Sequence, residues 1–122
     1  KQGGGSIVIT SSTGALHGSD YLGTYCLTKA ADVQMVKNIA VAHGRDGITA
    51  NAILPGLVKT HFAKALWEDP DALKAAEDST ALGRIGDPID LAGIVVYLAS
   101  AAGRWTTGQS FVIDGGWAIY GE

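Results

Sequence analysis

Three short apolar runs constrain this chain more than any other feature. Ser6 to Thr10 (SIVIT), Ile48 to Leu54 (ITANAIL) and Ser110 to Asp114 (SFVID) are rich in β-branched and small apolar residues. Each stops where a chain can turn: at Ser11-Ser12, at Pro55-Gly56 and at Gly115-Gly116. Continuous rather than alternating apolar character belongs to strands covered on both faces. The stretches between them carry helical periodicity. From about Tyr21 to His43, Tyr25, Lys29, Val33 and Val36 or Lys37 share one side, Ala30, Ile39 and Ala40 pack nearby, and Gly44 suits the position after the helix. Asp69-Pro70 offers a cap and first position for a short helix with Ala72 to Ala76 as its body, inside an otherwise irregular segment that reaches Gly86. Asp87-Pro88-Ile89-Asp90 repeats that signal for a helix to about Ala102, closed by Gly103. Strand, helix, strand, helix, strand implies right-handed crossovers, hence an α/β fold with three parallel strands.

Composition narrows the class further. The 122 residues make one domain at most, and 47% hydrophobic with 17% charged residues excludes a disordered tail. A net charge of −3 leaves no basic footprint for nucleic acid or an anionic membrane. The longest apolar stretch, Ile94 to Ala102, is too short to span a bilayer, and no leader pattern opens the chain. The single cysteine, Cys26, excludes an internal disulfide and fits a reducing, cytoplasmic setting. His17, His43 and His61 lack ligand spacing, so no metal site is expected. Lys1 to Ser6 (KQGGGS) reads as a turn or linker.

On a parallel sheet, ligands sit beyond the carboxyl ends of the strands. Tyr25 and Lys29 are four apart and therefore stacked on one helix face. A phenol is a poor base at neutral pH, but an ammonium beside it favours the phenoxide and makes it a usable proton shuttle. Ser12, thirteen residues earlier at a strand end, could share one substrate oxygen with Tyr25 if the helix lies beside that strand. Taken singly, each feature has an ordinary explanation: a surface pair at helical spacing, a serine capping a turn, and, for Pro55-Gly56 with Thr60, a strand-ending turn.

Taken together, Ser12, Tyr25-Cys-Leu-Thr-Lys29, Asn51-Ala-Ile-Leu-Pro55-Gly56-Leu-Val-Lys-Thr60 and Thr107-Gly-Gln-Ser-Phe-Val-Ile-Asp114-Gly-Gly116 occur in order, each at its expected strand end. Leu82-Gly-Arg-Ile-Gly-Asp-Pro88 and Leu91 to Ser100 fit the same pattern. From about Gly5 to Gly116 the chain resembles the C-terminal half of a short-chain dehydrogenase/reductase. The resemblance implies a doubly wound, Rossmann-like parallel sheet, of which this would be the catalytic half. It implies NAD or NADP as cofactor and a small alcohol or carbonyl compound as substrate. Tyr25 would be the general acid/base, Lys29 would hold the nicotinamide ribose, and Ser12 would orient the substrate oxygen. Tyr25, Lys29, Pro55, Gly56, Val58 and Thr60 would line the cofactor. Leu57, Trp67 and His17 would shape the substrate pocket.

The departures from that family pattern are equally informative. No glycine-rich turn follows a strand, since Gly3-Gly4-Gly5 precedes one, and the family's Asn-Asn-Ala-Gly segment is missing. The dinucleotide-binding half is therefore expected to be absent from residues 1–122, and the isolated chain is expected to be inactive. Partners implied are a complementing N-terminal half or a homo-oligomer, dimer or tetramer. The rival reading is a truncated or proteolysed half that no longer catalyses and persists as a self-associating module, with SIVIT as a bare apolar edge.

Overall fold

The computed structural model describes residues 3–120. Strands β1 (Gly5–Thr10), β2 (Ile48–Pro55) and β3 (Ser110–Ile113) form one sheet in the order β1-β2-β3, with both pairings parallel. The expected α/β fold with crossover helices is present. Helix α1 (Gly23–His43) links β1 to β2. The β2-to-β3 connection carries α2 (Lys64–Trp67), α3 (Pro70–Asp78) and α4 (Ile89–Ala99).

The register explains which face each helix covers. Ile7 and Ile9 pair with Ala50 and Ala52, so period-2 alternation places them with Leu54 on one face. There Val36 and Ala40, one turn apart on α1, close a core with Ala50, Ala52 and Leu54, flanked by Val33 and Ile39. Alanine at 50 and 52 lets the helix approach closely. Ser6, Val8 and Asn51 take the opposite face, where the Ser6 hydroxyl donates to the Leu98 carbonyl at 2.7 Å and ties β1 to α4. Helices thus lie on both faces of the sheet.

Asn51 is fully buried in the central strand, so both ends of its amide need partners. Its Nδ2 donates to Thr106 O at 2.8 Å, and its Oδ1 accepts from Gln109 N at 3.1 Å. Thr107 Oγ1 accepts from Ala50 N at 3.0 Å, which completes the clamp that feeds β3 into the sheet beside β2.

Several boundaries differ from the sequence expectation. α1 begins at Gly23 rather than Tyr21, because Ser19 Oγ accepts from the Tyr21 and Leu22 amides and holds them in a turn. Gly44 is right-handed and continues into a 3-10 turn; Gly47, at φ 76°, is the left-handed residue that ends the helical stretch. α4 stops at Ala99, since Ser100 is extended and its hydroxyl caps Ala102 N in a further 3-10 turn. Asp69 caps α3 as expected, through Asp71 N and Ala72 N. Asp87 does not cap α4: Asp90 instead reaches back to Asp87 N at 2.8 Å. β2 runs one residue further than expected, to Pro55, and β3 ends at Ile113, one residue earlier. Part of the Lys1–Ser6 linker reading lies outside the described residues, while Gly5 and Ser6 open β1. Among the described residues, no helix is long and apolar enough to cross a membrane.

Candidate active site

The candidate site gathers at the carboxyl end of β1. Ser11 is buried; its amide donates to Ile53 O at 2.8 Å and its hydroxyl to Lys29 O at 2.7 Å. That second bond fixes α1 against the strand end. Ser12 is extended and caps a 3-10 turn over Thr13–Ala15, its Oγ accepting from Gly14 N at 3.1 Å. Gly14 then sits between the expected partners. A Cβ there would lie 3.4 Å from Ser12 Oγ, 3.5 Å from Tyr25 Cε1 and 3.3 Å from Cys26 Sγ. The turn therefore brings Ser12 Oγ and the Tyr25 ring up to one glycine.

Tyr25 lies in the first turn of α1 and is half-buried. Lys29, one turn later, extends its ammonium to Thr10 O at 3.2 Å and to Asp32 Oδ2 at 3.2 Å. The same ammonium stands 5.8 Å from the centroid of the Tyr25 ring. Ser12, Tyr25 and Lys29 thus converge as a group. Asp32 was not singled out from the sequence, although its place three residues after Lys29 puts it on the same helix face.

The second strand end supplies a different group. Gly56 packs against Asp114 so tightly that a Cβ would fall 2.8 Å from Asp114 Cβ and 3.0 Å from its Cα. Asp114 in turn accepts from Gly116 N at 2.9 Å and Ala118 N at 2.8 Å, which sets the turn after β3. Val58 is buried and bridges Gly86 in parallel. That bridge uses Leu57 O, which accepts from Gly86 N at 2.9 Å, and Lys59 N, which donates to Gly86 O at 2.8 Å. The amide and carbonyl of Val58 itself take no part in the pairing and face the other way.

Thr60 accepts twice, from Ala63 N at its hydroxyl (3.3 Å) and from Trp67 Nε1 at its carbonyl (2.9 Å), and so anchors α2. The pocket residues do not meet in one cavity. Leu57 and Val58 line a groove of about 240 Å³ with Arg84, Asp90 and Asp114. Trp67 lines another, of about 340 Å³, with Lys59, Glu68 and Glu77. His17 packs edge-to-face on Trp117 at 5.0 Å. In the first groove, the Asp90 carboxyl is drawn down to about 2, first by its hydrogen bonds from Arg84 and then by the Asp87 amide.

The family model described as enoyl-(acyl carrier protein) reductase matches residues 1–118. The pig dehydrogenase/reductase SDR family member 4 is 41% identical over 118 residues, which cover 97% of this chain and 42% of that protein. An L-rhamnose 1-dehydrogenase (NAD(P)(+)) from a Sphingomonas strain is 42% identical over 113 residues, covering 93% and 44%. Among solved structures, a gluconate 5-dehydrogenase from Burkholderia cenocepacia, in complex with NADP and tartrate, superposes with a TM-score of 0.92 at 31% identity, covering 96% of this chain and 46% of that one. The chain thus spans less than half the length of these relatives. With a family model matched along nearly its whole length and the motif residues standing at the strand ends, the chain belongs to the short-chain dehydrogenase/reductase family.

Proposed function

We propose that residues 1–122 are the C-terminal, catalytic half of an NAD- or NADP-dependent oxidoreductase that interconverts a secondary alcohol and a ketone. The observation that carries this reading is the convergence of Ser12, Tyr25 and Lys29 around Gly14 and the end of β1. A nicotinamide cofactor, when bound, supplies or accepts the hydride. Tyr25 holds the proton that the alkoxide oxygen takes in the reduction direction. Ser12 donates to that same oxygen and fixes its position. Lys29 has three N–H donors and two described acceptors, which leaves one for a ribose hydroxyl.

The second strand end fits the cofactor's other face. Val58 presents a donor and an acceptor free of sheet pairing, the complement of a carboxamide. Pro55 and Gly56 hold the backbone there, Thr60 follows on the phosphate side, and Leu57, Trp67 and His17 border the substrate. The NAD(P)(+) specificity named for the rhamnose dehydrogenase and the NADP bound to the gluconate dehydrogenase support the same cofactor class.

The test is turnover of small ketones, aldehydes and sugar acids with NADH or NADPH. It is run on the 122 residues alone and on the chain completed by a dinucleotide-binding half, fused or supplied in trans. Turnover is expected only for the completed form. Absence of turnover there with either dinucleotide would reject the reading.

The second reading, a non-catalytic self-associating half, is favoured by the exposed surface. The chain presents 8102 Å², against about 6,200 Å² for a compact monomer of its mass. Under that reading the 122 residues form dimers or larger species and have no dinucleotide affinity, and a monodisperse monomer that binds the cofactor would reject it.

A further inference from the structure

Five ion pairs occur among the described residues, and Lys29–Asp32 is the least exposed of them, its two side chains retaining 24% and 26% of their accessibility. Lys64–Glu68 and Lys74–Asp78 are of the same helical kind but stand far more in solvent. Those two exposed pairs contribute little to stability, whereas the Lys29–Asp32 pair is half-buried at the strand end. A free lysine side chain has about 2 kcal/mol of rotamer entropy to lose when it is fixed. Lys29 is held at two points, by the neutral carbonyl of Thr10 and by the carboxylate of Asp32, each at 3.2 Å. Asp32 is the charged one of the two. It sits one helical turn beyond Lys29, on the side away from Tyr25, so together with the Thr10 carbonyl at the strand end it fixes the ammonium between two points and leaves the remaining N–H free.

We propose that Asp32 is a positioning residue for Lys29, holding the ammonium in the orientation from which it receives the cofactor ribose. The proposal rests on the reading of Lys29 as a dinucleotide contact. Asp32 touches neither substrate nor cofactor, and its effect passes entirely through Lys29.

The experiment measures dissociation constants for NADH and NADPH by fluorescence titration of the completed chain. Asp32→Ala, Lys29→Ala, the double variant and Asp32→Glu are compared, with thermal melting to confirm folding. Asp32→Ala is expected to weaken binding about five- to tenfold, the size of coupling found between contacting groups. In the Lys29→Ala background the same substitution is expected to add nothing. Asp32→Glu, which still reaches a lysine three residues back, is expected to restore affinity to within about twofold. If Lys29→Ala weakens binding but Asp32→Ala does not, or weakens it equally in both backgrounds, the role of Asp32 is overturned while the site reading stands. If Lys29→Ala leaves affinity unchanged, the site reading itself fails. Should Asp32→Ala melt early, Asp32→Asn, which keeps the shape and an oxygen acceptor, replaces it in the cycle.

Discussion

Under the proposed function Ser12 would do two things with one oxygen, and they can be separated. As a turn cap it accepts from Gly14 N, and its loss should cost about 1 kcal/mol of stability, the usual worth of a capping hydroxyl. As a substrate contact it matters only to turnover. Ser12→Ala is therefore expected to lower both the urea midpoint and kcat/KM of the completed chain, the latter by about a hundredfold if the hydroxyl stabilises the reacting oxygen. Ser12→Thr, which keeps a hydroxyl, should hold the midpoint. A Ser12→Ala chain with a lowered midpoint and unchanged kcat/KM would leave Ser12 as a cap alone. The Tyr25 and Lys29 pair was legible from helical spacing, and Ser12 from its place after a strand. The role of Gly14 was not, because a glycine in a Ser- and Gly-rich loop says nothing about what folds against it. Asp32 was hidden for a related reason: an acid three residues from a lysine is common on any helix, and only its half-burial and the Thr10 carbonyl distinguish this one.

Identical signals can produce different helix starts. Asp69-Pro70 and Asp87-Pro88 look alike in sequence, yet only Asp69 caps its helix. At the second start, Asp90 takes the Asp87 amide and is gripped by Arg84 at 2.7 and 3.1 Å. The competing partner lies outside the dipeptide, so the pattern alone could not reveal it. This arrangement has a pH signature. Asp90 is lowered from 3.8 to about 2 in the folded chain. A carboxyl with a depressed folded-state value contributes stability that is present above its unfolded value and is lost as pH falls through the folded one. Stability should therefore decline between about pH 4 and pH 2, and Asp90→Asn should flatten that part of the curve, as read from urea midpoints. An equally steep curve in the variant would remove Asp90 from the account. The strand ends were read to within a residue, but the contact of Gly56 with Asp114 links two of them and needed the fold. Gly56→Ala would drive a methyl into Asp114 backbone and should cost about 1–3 kcal/mol, as overpacking does. A midpoint equal to that of the parent would show that the β2 and β3 ends can part without loss.

On the scale of the molecule, the sheet is covered on both faces yet open at one edge. β1 pairs with β2 on one side only, and its other side offers unpaired amides and carbonyls. Leu27 and Val41 on α1 and Trp105 before β3 are strongly exposed, Trp105 at 97%. Surface of this kind favours association. The 122 residues alone are expected to elute as species heavier than 12.6 kDa in light-scattering chromatography, and to lose the part of that tendency due to the β1 edge when a dinucleotide-binding half covers it. A monodisperse 12.6 kDa particle at high concentration would show that the edge is adequately protected.

Under the proposed function, Tyr25 moves the proton in a dinucleotide-dependent carbonyl reduction. The most direct test is kcat of the completed chain against its Tyr25→Phe variant, with NADPH and NADH and a ketone that the parent turns over. Removal of a proton-transfer group should lower kcat by about 10²–10⁴-fold, while dinucleotide affinity changes little, since the ring remains. A Tyr25→Phe chain that keeps the parent's kcat would contradict the account.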